Sequence, residues 1–376
     1  MKVSLDGLGL RYGDVVAVQN LSLTVEDGQS VVLLGQSGCG KTSTMRCIAG
    51  LEVPSEGRIS LGEHVVYDSA SGANVAAHKR RIGMVFQSYA VWPHMTVLQN
   101  VTYPLVVKRT RKATARARAL EVLEMVGLAH LADRGASNLS GGQMQRVALA
   151  RSIAMQPSVL LLDEPLSNLD ARLRDDLRVE LRRIQQETGL TSVYVTHDQN
   201  EALALADRIA VMQGGRITQL APPAELYDRP ASASIAKFLG VTNAFPIGGP
   251  AGRGSVVVEG SQCVVTVAEE VAPDDTTVCF RPEAVEVRPA GDTTEGPNTW
   301  TGTVRVAVFQ GNSVRYSVDL HDGPVVDAVC EVRRGPVQPL GAQVVVRVSP
   351  DRVRTLPEET SSTTPATAPD AVLVTS

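Results

Sequence analysis

The chain has 376 residues, of which 43% are hydrophobic and 20% charged, and its formal net charge is −4. This length exceeds what one compact core usually holds and predicts at least two domains. The charge gives no indication of a nucleic-acid or anionic-lipid partner, and no apolar run approaches the roughly 18 residues of a membrane-spanning helix. Five cysteines without a C-x-x-C pair favour neither a disulfide framework nor a zinc site, and indicate a reducing, cytoplasmic setting.

The first predicted element with chemical meaning is the apolar strand SVVLL (30–34). It leads into GQSGCGKT (35–42), the phosphate loop, and then into a helical stretch. This is the G-x-x-x-x-G-K-[ST] pattern in its strand–loop–helix setting. The glycines let backbone N–H groups wrap phosphates, Lys41 supplies positive charge to the β- and γ-phosphates, and the Thr42 hydroxyl suits Mg²⁺. The alternative is a glycine-rich turn that matches by chance, and the flanking elements disfavour it.

A second phosphate-facing helix start is predicted at LSGGQMQR (139–146). Ser140 and Gln143 have the spacing of a capping box. Gly141 and Gly142 would then occupy the first helical turn, where each glycine costs roughly 1 kcal/mol relative to alanine. Two positions without side chains at the positive end of a helix indicate close approach of an anion.

Two later apolar strands end in polar residues. The strand in VLLLDEP (159–165) ends at Asp163, which suits Mg²⁺, and is followed by Glu164, which suits the attacking water. The strand in TSVYVTH (191–197) ends at His197. Because ligands of open α/β sheets bind at the carboxyl ends of the strands, these side chains are expected to face the phosphate loop. The alternatives are a solvated strand end and an ordinary surface histidine.

The order of elements predicts two domains. Up to residue 237, buried strands alternate with amphipathic helices, among them helices predicted over 112–126 and 171–189, so we expect an α/β domain with a parallel sheet. From 238 to 356, short β-like runs separated by Gly, Pro and Asp predict a small all-β barrel or sandwich. Residues 357–376 are rich in Ser, Thr, Pro and Ala and are predicted to be disordered.

A family resemblance is carried by motifs that follow one another in a fixed order. They are Tyr12, GQSGCGKT, the Gln87 of VFQSYAVWPHMTV, LSGGQMQR, LLLDEP, SNLD (167–170) and VTHD. Together they resemble the ATP-binding-cassette (ABC) ATPases over about residues 1–237. The resemblance implies a P-loop NTPase fold with a helical subdomain over about 88–155. The β-rich domain with CFRPEAVEV is similar to the OB-like regulatory domain of importer nucleotide-binding subunits.

The resemblance implies ATP and Mg²⁺ as cofactors and a role for each matched residue. Tyr12 is expected to stack on adenine, and Gln87 to sense Mg²⁺ and the γ-phosphate. Glu164 is expected to be the general base, and His197 to hold the γ-phosphate and the attacking water. The catalytic set is Glu164, His197 and Gln87, and the metal set is Thr42, Gln87 and Asp163. The nucleotide-binding set is Tyr12, Gly35, Gln36, Ser37, Gly38, Cys39, Gly40, Lys41, Thr42, Ser43, Ser140, Gly141, Gly142, Gln143 and Asp170.

The expected partners also come from the resemblance. In ABC ATPases two cassettes close head to tail on two ATP molecules, so the phosphate loop of one copy and the LSGGQ helix of the other hold each nucleotide. This implies a homodimer in which Ser140 acts in trans and Asp170 lies in a loop that crosses the dimer interface. It also implies two transmembrane permease subunits, an extracytoplasmic solute-binding protein that acts through them, and a peripheral place on the cytoplasmic face of the membrane.

The function implied is ATP hydrolysis that energises an importer. The QSYAVWPHMTV region and the short β domain are most similar to ferric-iron, polyamine and phosphonate systems, with ferric iron favoured, and next to sugar importers of the maltose or glycerol-phosphate type. The alternatives are an exporter ATPase and a non-transport ABC ATPase acting on nucleic acid or ribosomes. Residues 238–356 hold 10 Arg, no Lys and 14 Asp or Glu, a balance that would repel a phosphate backbone and so disfavours nucleic acid.

Overall fold

The computed structural model of the chain describes residues 1–291, 295–332 and 337–359. It divides into two compact units, of which the first is Met1–Leu226 and the second begins at Tyr227. The sequence prediction grouped residues 227–237 with the first domain, and the predicted domain limits remain predictions. Most of the predicted disordered segment, residues 360–376, lies outside the described residues. At the first residue of that predicted segment, the carbonyl oxygen of Pro357 accepts a hydrogen bond from the Ala233 N–H.

The first unit contains two sheets and most of the helices. Its strands are β1 (Val3–Tyr12), β2 (Val15–Val25), β3 (Ser30–Leu34), β4 (Glu56–Leu61), β5 (His64–Asp68), β6 (Ala73–Asn74), β7 (Ile82–Val85), β8 (Val159–Asp163), β9 (Thr191–Thr196), β10 (Arg208–Gln213) and β11 (Arg216–Ala221). Its helices are α1 (Lys41–Ala49), α2 (Val97–Val107), α3 (Lys112–Met125), α4 (Gly141–Ala154), α5 (Ala171–Thr188) and α6 (Gln199–Leu205). Helix α7 (Pro223–Asp228) spans the point of division.

The larger sheet of the first unit has six strands in the order β11-β10-β3-β9-β8-β7. The neighbours from β10 to β7 are all parallel, and β11 is antiparallel. Strands β3, β8 and β9 are buried at every position. These are the strands that the continuous apolar runs predicted, because a parallel sheet covered on both faces excludes water from each strand position. The predicted α/β fold with a parallel sheet is confirmed.

A second, antiparallel sheet has the order β2-β1-β4-β5-β6. Its inward side chains, such as Leu5 and Ile59, share one hydrophobic core with Leu33 of β3 and with Met45 of α1. Helix α1 is therefore packed in the same core as both sheets, which fixes the element that follows the phosphate loop.

The carboxyl end of α1 is held by a buried arginine. Arg80, 3% exposed, donates from Nη1 to the carbonyl oxygens of Cys47 and Ile48 at 2.7 and 3.0 Å. These carbonyls belong to the last turn of the helix, where intrahelical donors run out, and the Cys47 carbonyl also accepts the N–H of Gly50 at 3.1 Å. Gly50 ends α1 with a left-handed φ of 75°, and a Cβ there would lie against the Arg80 guanidinium. The far end of the phosphate-loop helix thus depends on one glycine and one cation.

Helices α2, α3 and α4 pack on one another within the range for which a helical subdomain was expected. Helix α5 is capped at its start by Asp170, whose Oδ1 accepts from the backbone N–H of Leu173, and at its end by Gly189, which has a φ of 59°. Its buried side chains are Leu177, Leu181 and Ile184, so the predicted amphipathic helix is confirmed. None of the helices within the described ranges is both long enough and apolar enough to cross a membrane.

The second unit is a β structure after one short helix, α8 (Ala233–Phe238). Its strands are β12 (Asn243–Gly252), β13 (Ser255–Val258), β14 (Val264–Thr266), β15 (Thr277–Phe280), β16 (Val285–Pro289), β17 (Thr299–Phe309), β18 (Ser313–Leu320), β19 (Val325–Glu331), β20 (Gln343–Val348) and β21 (Val353–Leu356). They form two five-stranded sheets, β14-β13-β12-β15-β21 and β16-β20-β17-β18-β19, around a valine-rich core. The predicted small all-β domain is confirmed.

Candidate active site

The predicted site residues meet at one edge of the parallel sheet. Strands β3, β9, β8 and β7 are adjacent and parallel, so their carboxyl ends lie side by side. Gly35 follows β3, His197 follows β9 and Glu164 follows β8, while Gln87 comes two residues after β7. The geometry therefore brings the phosphate loop together with both acids, the histidine and the glutamine.

The phosphate loop runs close to neighbouring backbone on two sides. A Cβ at Gly35 would overlap the carbonyl oxygen of Met212, and one at Gly40 would overlap that of Ala17. Gly40 also has a left-handed φ of 98° at the start of α1. Residues 36–38 between them are exposed, so the loop offers its central backbone to solvent while its two ends are fixed.

Lys41 points back into the loop that precedes it. It is 5% exposed, and its Nζ donates to the carbonyl oxygens of Gly35 and Gln36 at 2.8 and 2.9 Å. A lysine ammonium has three N–H donors, so two backbone bonds fix the cation and leave one donor for an anion. The Cys39 sulfur lies 3.8 Å from the same nitrogen and is at most a weak acceptor.

Thr42 and Asp163 form a pair that suits a magnesium ion. The Thr42 hydroxyl donates to Asp163 Oδ1 at 3.1 Å, and Asp163 is 6% exposed. Burial raises the pKa of this carboxyl, although the Thr42 bond and the nearby Arg46 charge oppose the shift. Among the described residues no three His, Cys, Asp or Glu side chains are grouped to hold a metal alone. Mg²⁺ commonly takes one or two protein oxygens and completes its shell with phosphate and water, which this pair fits.

Glu164 stands between His197 and Gln87. Its Oε1 lies 3.3 Å from His197 Nδ1, and its Oε2 lies 3.5 Å from Gln87 Nε2. Glu164 has a φ of 42°, which is uncommon for a non-glycine residue. Its backbone N–H donates to the carbonyl oxygen of Val195 on β9 at 3.0 Å, which holds the chain in this conformation. Backbone strain of this kind is typical of functional positions.

The SNLD loop (167–170) holds Gln87 from the other side. The Asn168 side chain donates to the Gln87 carbonyl oxygen at 3.1 Å, and Ser167 Oγ lies 3.4 Å from Gln87 Nε2. Ser167 Oγ also donates to the Glu164 carbonyl oxygen at 2.9 Å. Sequence reasoning missed Ser167 and Asn168, although both belong to a motif that it had singled out for Asp170.

Tyr12 presents an exposed ring beside the phosphate-loop helix. Its side chain is 48% exposed, and its hydroxyl donates to the Glu52 carboxylate. Partial burial and this bond raise the pKa of Tyr12, and Ser43 of α1 also hydrogen-bonds the phenol. The ring is free to stack on a flat ligand. Glu52 was missed, because no sequence pattern marks it.

The predicted capping box at the start of α4 is confirmed. Ser140 Oγ accepts from the Gln143 N–H at 3.4 Å, and Gln143 Oε1 accepts from the Ser140 N–H at 3.0 Å. The two glycines pack within this chain, because a Cβ at Gly142 would lie 2.8 Å from Leu173 Cδ2. A Cβ at Gly141 would lie 3.1 Å from a Leu169 methyl. Both glycines thus lie against leucine side chains of this chain, and the approach of an anion to them stays a prediction.

The structure does not join every predicted site residue. In the described chain no hydrogen bond links residues 140–143 to the phosphate loop, and Asp170 caps α5. The nucleotide roles of these residues, like the roles assigned to the rest of the site, stay predictions.

Comparison with known proteins finds a family match within each of the two units. Residues 18–167 match the family described as ABC transporter, and residues 278–356 match the TOBE domain. The Fe(3+) ions import ATP-binding protein FbpC of Brucella melitensis biotype 1 is 45% identical over 334 residues, which are 88% of this chain and 91% of that protein. The trehalose/maltose import ATP-binding protein MalK of Thermococcus litoralis is 51% identical over 229 residues, 61% of this chain and 62% of that protein.

Solved structures match the cassette part of the chain. One is cbiO1 from Clostridium perfringens, part of the ABC transporter complex cbiONQ, with a TM-score of 0.55 and 29% identity over 60% of this chain and 90% of that chain. Another is the ATP-binding cassette MJ0796, a dimer in a post-hydrolysis state bound to ADP and Pi. Its TM-score is 0.51, with 32% identity over 59% of this chain and 98% of that chain.

The burial of Asp163 predicts that removing its charge stabilises the fold. Because burial raises its pKa, the folded chain binds the proton more tightly than the unfolded chain. Stability is therefore lost as pH rises from the ordinary value through the raised one, and stays lost at neutral pH. Without nucleotide or Mg²⁺, Asp163→Asn should unfold at a higher temperature than the parent at neutral pH. The gap should shrink as the pH is lowered through the raised pKa, because the folded parent then binds the proton too.

Thermal unfolding followed by circular dichroism measures this difference, with the exposed Asp133→Asn as the control that leaves the midpoint unchanged. An Asp163→Asn midpoint at or below that of the parent at neutral pH would contradict the prediction.

The contact between Gly142 and Leu173 predicts a coupling between the two positions. Alanine in a helix is favoured over glycine by about 1 kcal/mol. In a Leu173→Ala background, Gly142→Ala should realise that gain and raise the unfolding midpoint. In the parent chain the new methyl group must displace Leu173, so the gain should be cancelled or reversed. Equal shifts in both backgrounds, measured by the same thermal unfolding, would show that packing does not select this glycine.

Proposed function

Because this chain belongs to the ATP-binding proteins of ABC transporters, we propose that it hydrolyses ATP and so energises an ABC importer. The observation that carries the proposal is the meeting of the phosphate loop, the Thr42–Asp163 pair and Glu164 at one edge of the parallel sheet. Phosphoryl transfer depends mainly on positioning and electrostatic stabilisation, and this edge supplies both.

Each group of site residues has its own role in the proposed hydrolysis. The exposed backbone of the phosphate loop and the remaining Lys41 donor bind the β- and γ-phosphates. Thr42 and Asp163 would hold Mg²⁺, which would supply positive charge against the phosphates. Glu164, fixed between His197 and Gln87, orients the attacking water and accepts its proton, and Tyr12 stacks on the adenine.

The proposed working unit is a homodimer. Ser140, at the positive end of α4, would cap the γ-phosphate of a nucleotide held by the second copy, since a helix N-terminus favours negative charge. Two observations support this arrangement. Residues 140–143 have no hydrogen bond to their own phosphate loop among the described residues. The similar cassette MJ0796 is a dimer in its structure with ADP and Pi.

The chain would act with a membrane-embedded permease, to which it binds on the cytoplasmic face. We propose two permease subunits and an extracytoplasmic solute-binding protein that delivers cargo to them. Binding of ATP would favour the closed dimer, and hydrolysis would remove that preference, so the permease would alternate between two states. The import function named for FbpC and for MalK supports this assignment.

Ferric iron is the cargo that the comparisons favour. FbpC relatives match 88% of this chain, including most of the β unit, whereas MalK matches 61%. Sugar import is the second candidate, because the MalK match has the higher identity, 51%. Cargo need not contact the ATPase subunit, so its site residues do not choose between these two.

The role of Glu164 predicts the behaviour of a variant. Glu164→Gln should bind ATP with ordinary affinity but hydrolyse it roughly 10²–10³ times more slowly, by analogy with other losses of one transition-state contact. With ATP and Mg²⁺ it should accumulate as a dimer, because the closed state is no longer consumed. Phosphate release and size-exclusion chromatography measure the two effects.

Glu187→Gln makes the same chemical exchange at an exposed residue of α5 and should retain full activity. Ordinary turnover by Glu164→Gln would remove that residue from the mechanism, and a parent chain without ATPase activity would overturn the proposed function.

The cargo proposal predicts the result of an uptake assay. Cells that lack this chain should take up radiolabelled ferric iron more slowly than the parent cells, with uptake of labelled maltose unchanged. The parent chain should restore iron uptake and the Glu164→Gln variant should not, because both strains make the subunit and only one hydrolyses ATP. A loss of maltose uptake with unchanged iron uptake would favour the sugar importer instead.

A further inference from the structure

One side chain joins two turns of the candidate site. Arg174 of α5 donates from Nη2 to the Leu169 carbonyl oxygen at 3.0 Å, and its Nη1 lies 3.3 Å from Asp198 Oδ2. Leu169 belongs to the SNLD loop, and Asp198 follows His197 in the chain. The arginine side chain is 28% exposed and the aspartate 23%, so the pair is partly shielded from water.

The two oxygens of the Asp198 carboxylate make different contacts. Oδ1 accepts from the backbone N–H groups of Asn200 and Glu201 at 2.8 and 3.2 Å and so caps α6. Oδ2 pairs with Arg174. A residue with one side-chain oxygen can keep the cap and lose the ion pair, which makes the two contributions separable by substitution.

The turn around His197 (196–198) is also fixed from within. Glu201, 2% exposed, accepts the Thr196 hydroxyl at 2.7 Å and the Tyr194 hydroxyl at 2.9 Å on Oε2. Thr196 Oγ1 in turn accepts the Asp198 N–H at 2.9 Å. These bonds hold the turn on its own strand and helix. His197 itself is 55% exposed and has its Nδ1 next to Glu164.

We propose that Arg174 is a positioning residue that ties the SNLD loop to the turn around His197. The same loop contacts Gln87 and Glu164 through Ser167, so Arg174 closes a ring of contacts around the reacting water. Without it, the turn around His197 keeps its internal bonds but loses its tie to the loop. The inference rests on the proposed ATPase function and assigns Arg174 an effect on turnover and none on nucleotide affinity.

Helix α5 contains a matched control. Arg182 donates from Nη2 to Asp207 Oδ1 at 2.7 Å and from Nη1 to the Leu205 carbonyl oxygen at 3.2 Å. Its side chain is 27% exposed. Like Arg174, it bonds one carboxylate and one backbone carbonyl through a single guanidinium. Asp207, however, directly precedes β10 and so lies at the amino end of the strands, whereas the candidate site lies at their carboxyl ends. Loss of Arg182 should cost comparable stability without touching the site.

The test compares Arg174→Met and Arg182→Met in the full chain. Arg174→Met should lower kcat about tenfold or more, since a misplacement of about 1 Å at a reacting group can cost roughly 10²-fold in rate. Its KM for ATP should stay within about twofold of the parent, because the phosphate loop and Lys41, which supply most of the phosphate contacts, are unchanged. Arg182→Met should leave both constants unchanged. Arg174→Lys keeps the positive charge but cannot contact the Leu169 carbonyl and the Asp198 carboxylate with two separate nitrogens. It should therefore recover only part of the parent kcat.

Asp198→Ser gives an independent measurement, because serine retains the α6 cap and loses the ion pair. It should reproduce the loss in kcat, and the double variant with Arg174→Met should lose little more. If Arg174→Met fails to fold, as circular dichroism would show, Asp198→Ser decides the question alone. A parent chain with no ATPase activity would overturn the proposed function and this inference with it. A parent with normal activity and variants that match Arg182→Met would overturn this inference only.

Discussion

The register of four parallel strands determines the distances in the candidate site. Leu34 of β3 pairs with Thr196 of β9, and Val195 of β9 pairs with Asp163 of β8. The strands therefore end at nearly the same level, and each turn leaves the sheet next to its neighbours. A slip in any of these pairings would move an acid or the histidine by a full residue spacing, about 3.3 Å along the strand. The chemistry of phosphoryl transfer tolerates far less than that.

The site keeps features that oppose folding. Asp163 is buried with a raised pKa, and Glu164 adopts a left-handed backbone conformation. Both carry a free-energy cost that the surrounding core must offset. The shared core of the two sheets and α1 lies directly beneath and includes fully buried Leu33 and Met45. The fold thus places the strained, charged site at the edge of a sheet whose buried apolar core supplies the stability.

Sequence patterns predicted the buried strands and the phosphate loop because those signals are local. A run such as SVVLL and the spacing of Lys41 and Thr42 after it are both visible within a dozen residues. The contacts of Glu52, Arg174 and Glu201 are not visible in this way. Each is an ordinary charged residue whose role depends on a contact formed by folding. Strand β12 has no such local signal, because it contains two prolines and three glycines, which are disfavoured in strands.

The glycines of the LSGGQ motif show how the fold adds a constraint that the sequence pattern does not display. A Cβ at Gly142 would lie 2.8 Å from a methyl group of Leu173 on another helix, and the approach of an anion to these glycines stays a prediction.

The position of Arg80 at the carboxyl end of the phosphate-loop helix limits which substitutions this protein can tolerate. Gly50 leaves room for the guanidinium, and the guanidinium holds the last carbonyls of α1. A larger residue at 50 therefore conflicts with the present position of the Arg80 guanidinium, so a substitution of Gly50 also requires a change at Arg80. The support of the phosphate-loop helix is thereby open to drift, or to engineering, from two positions that lie outside the loop itself.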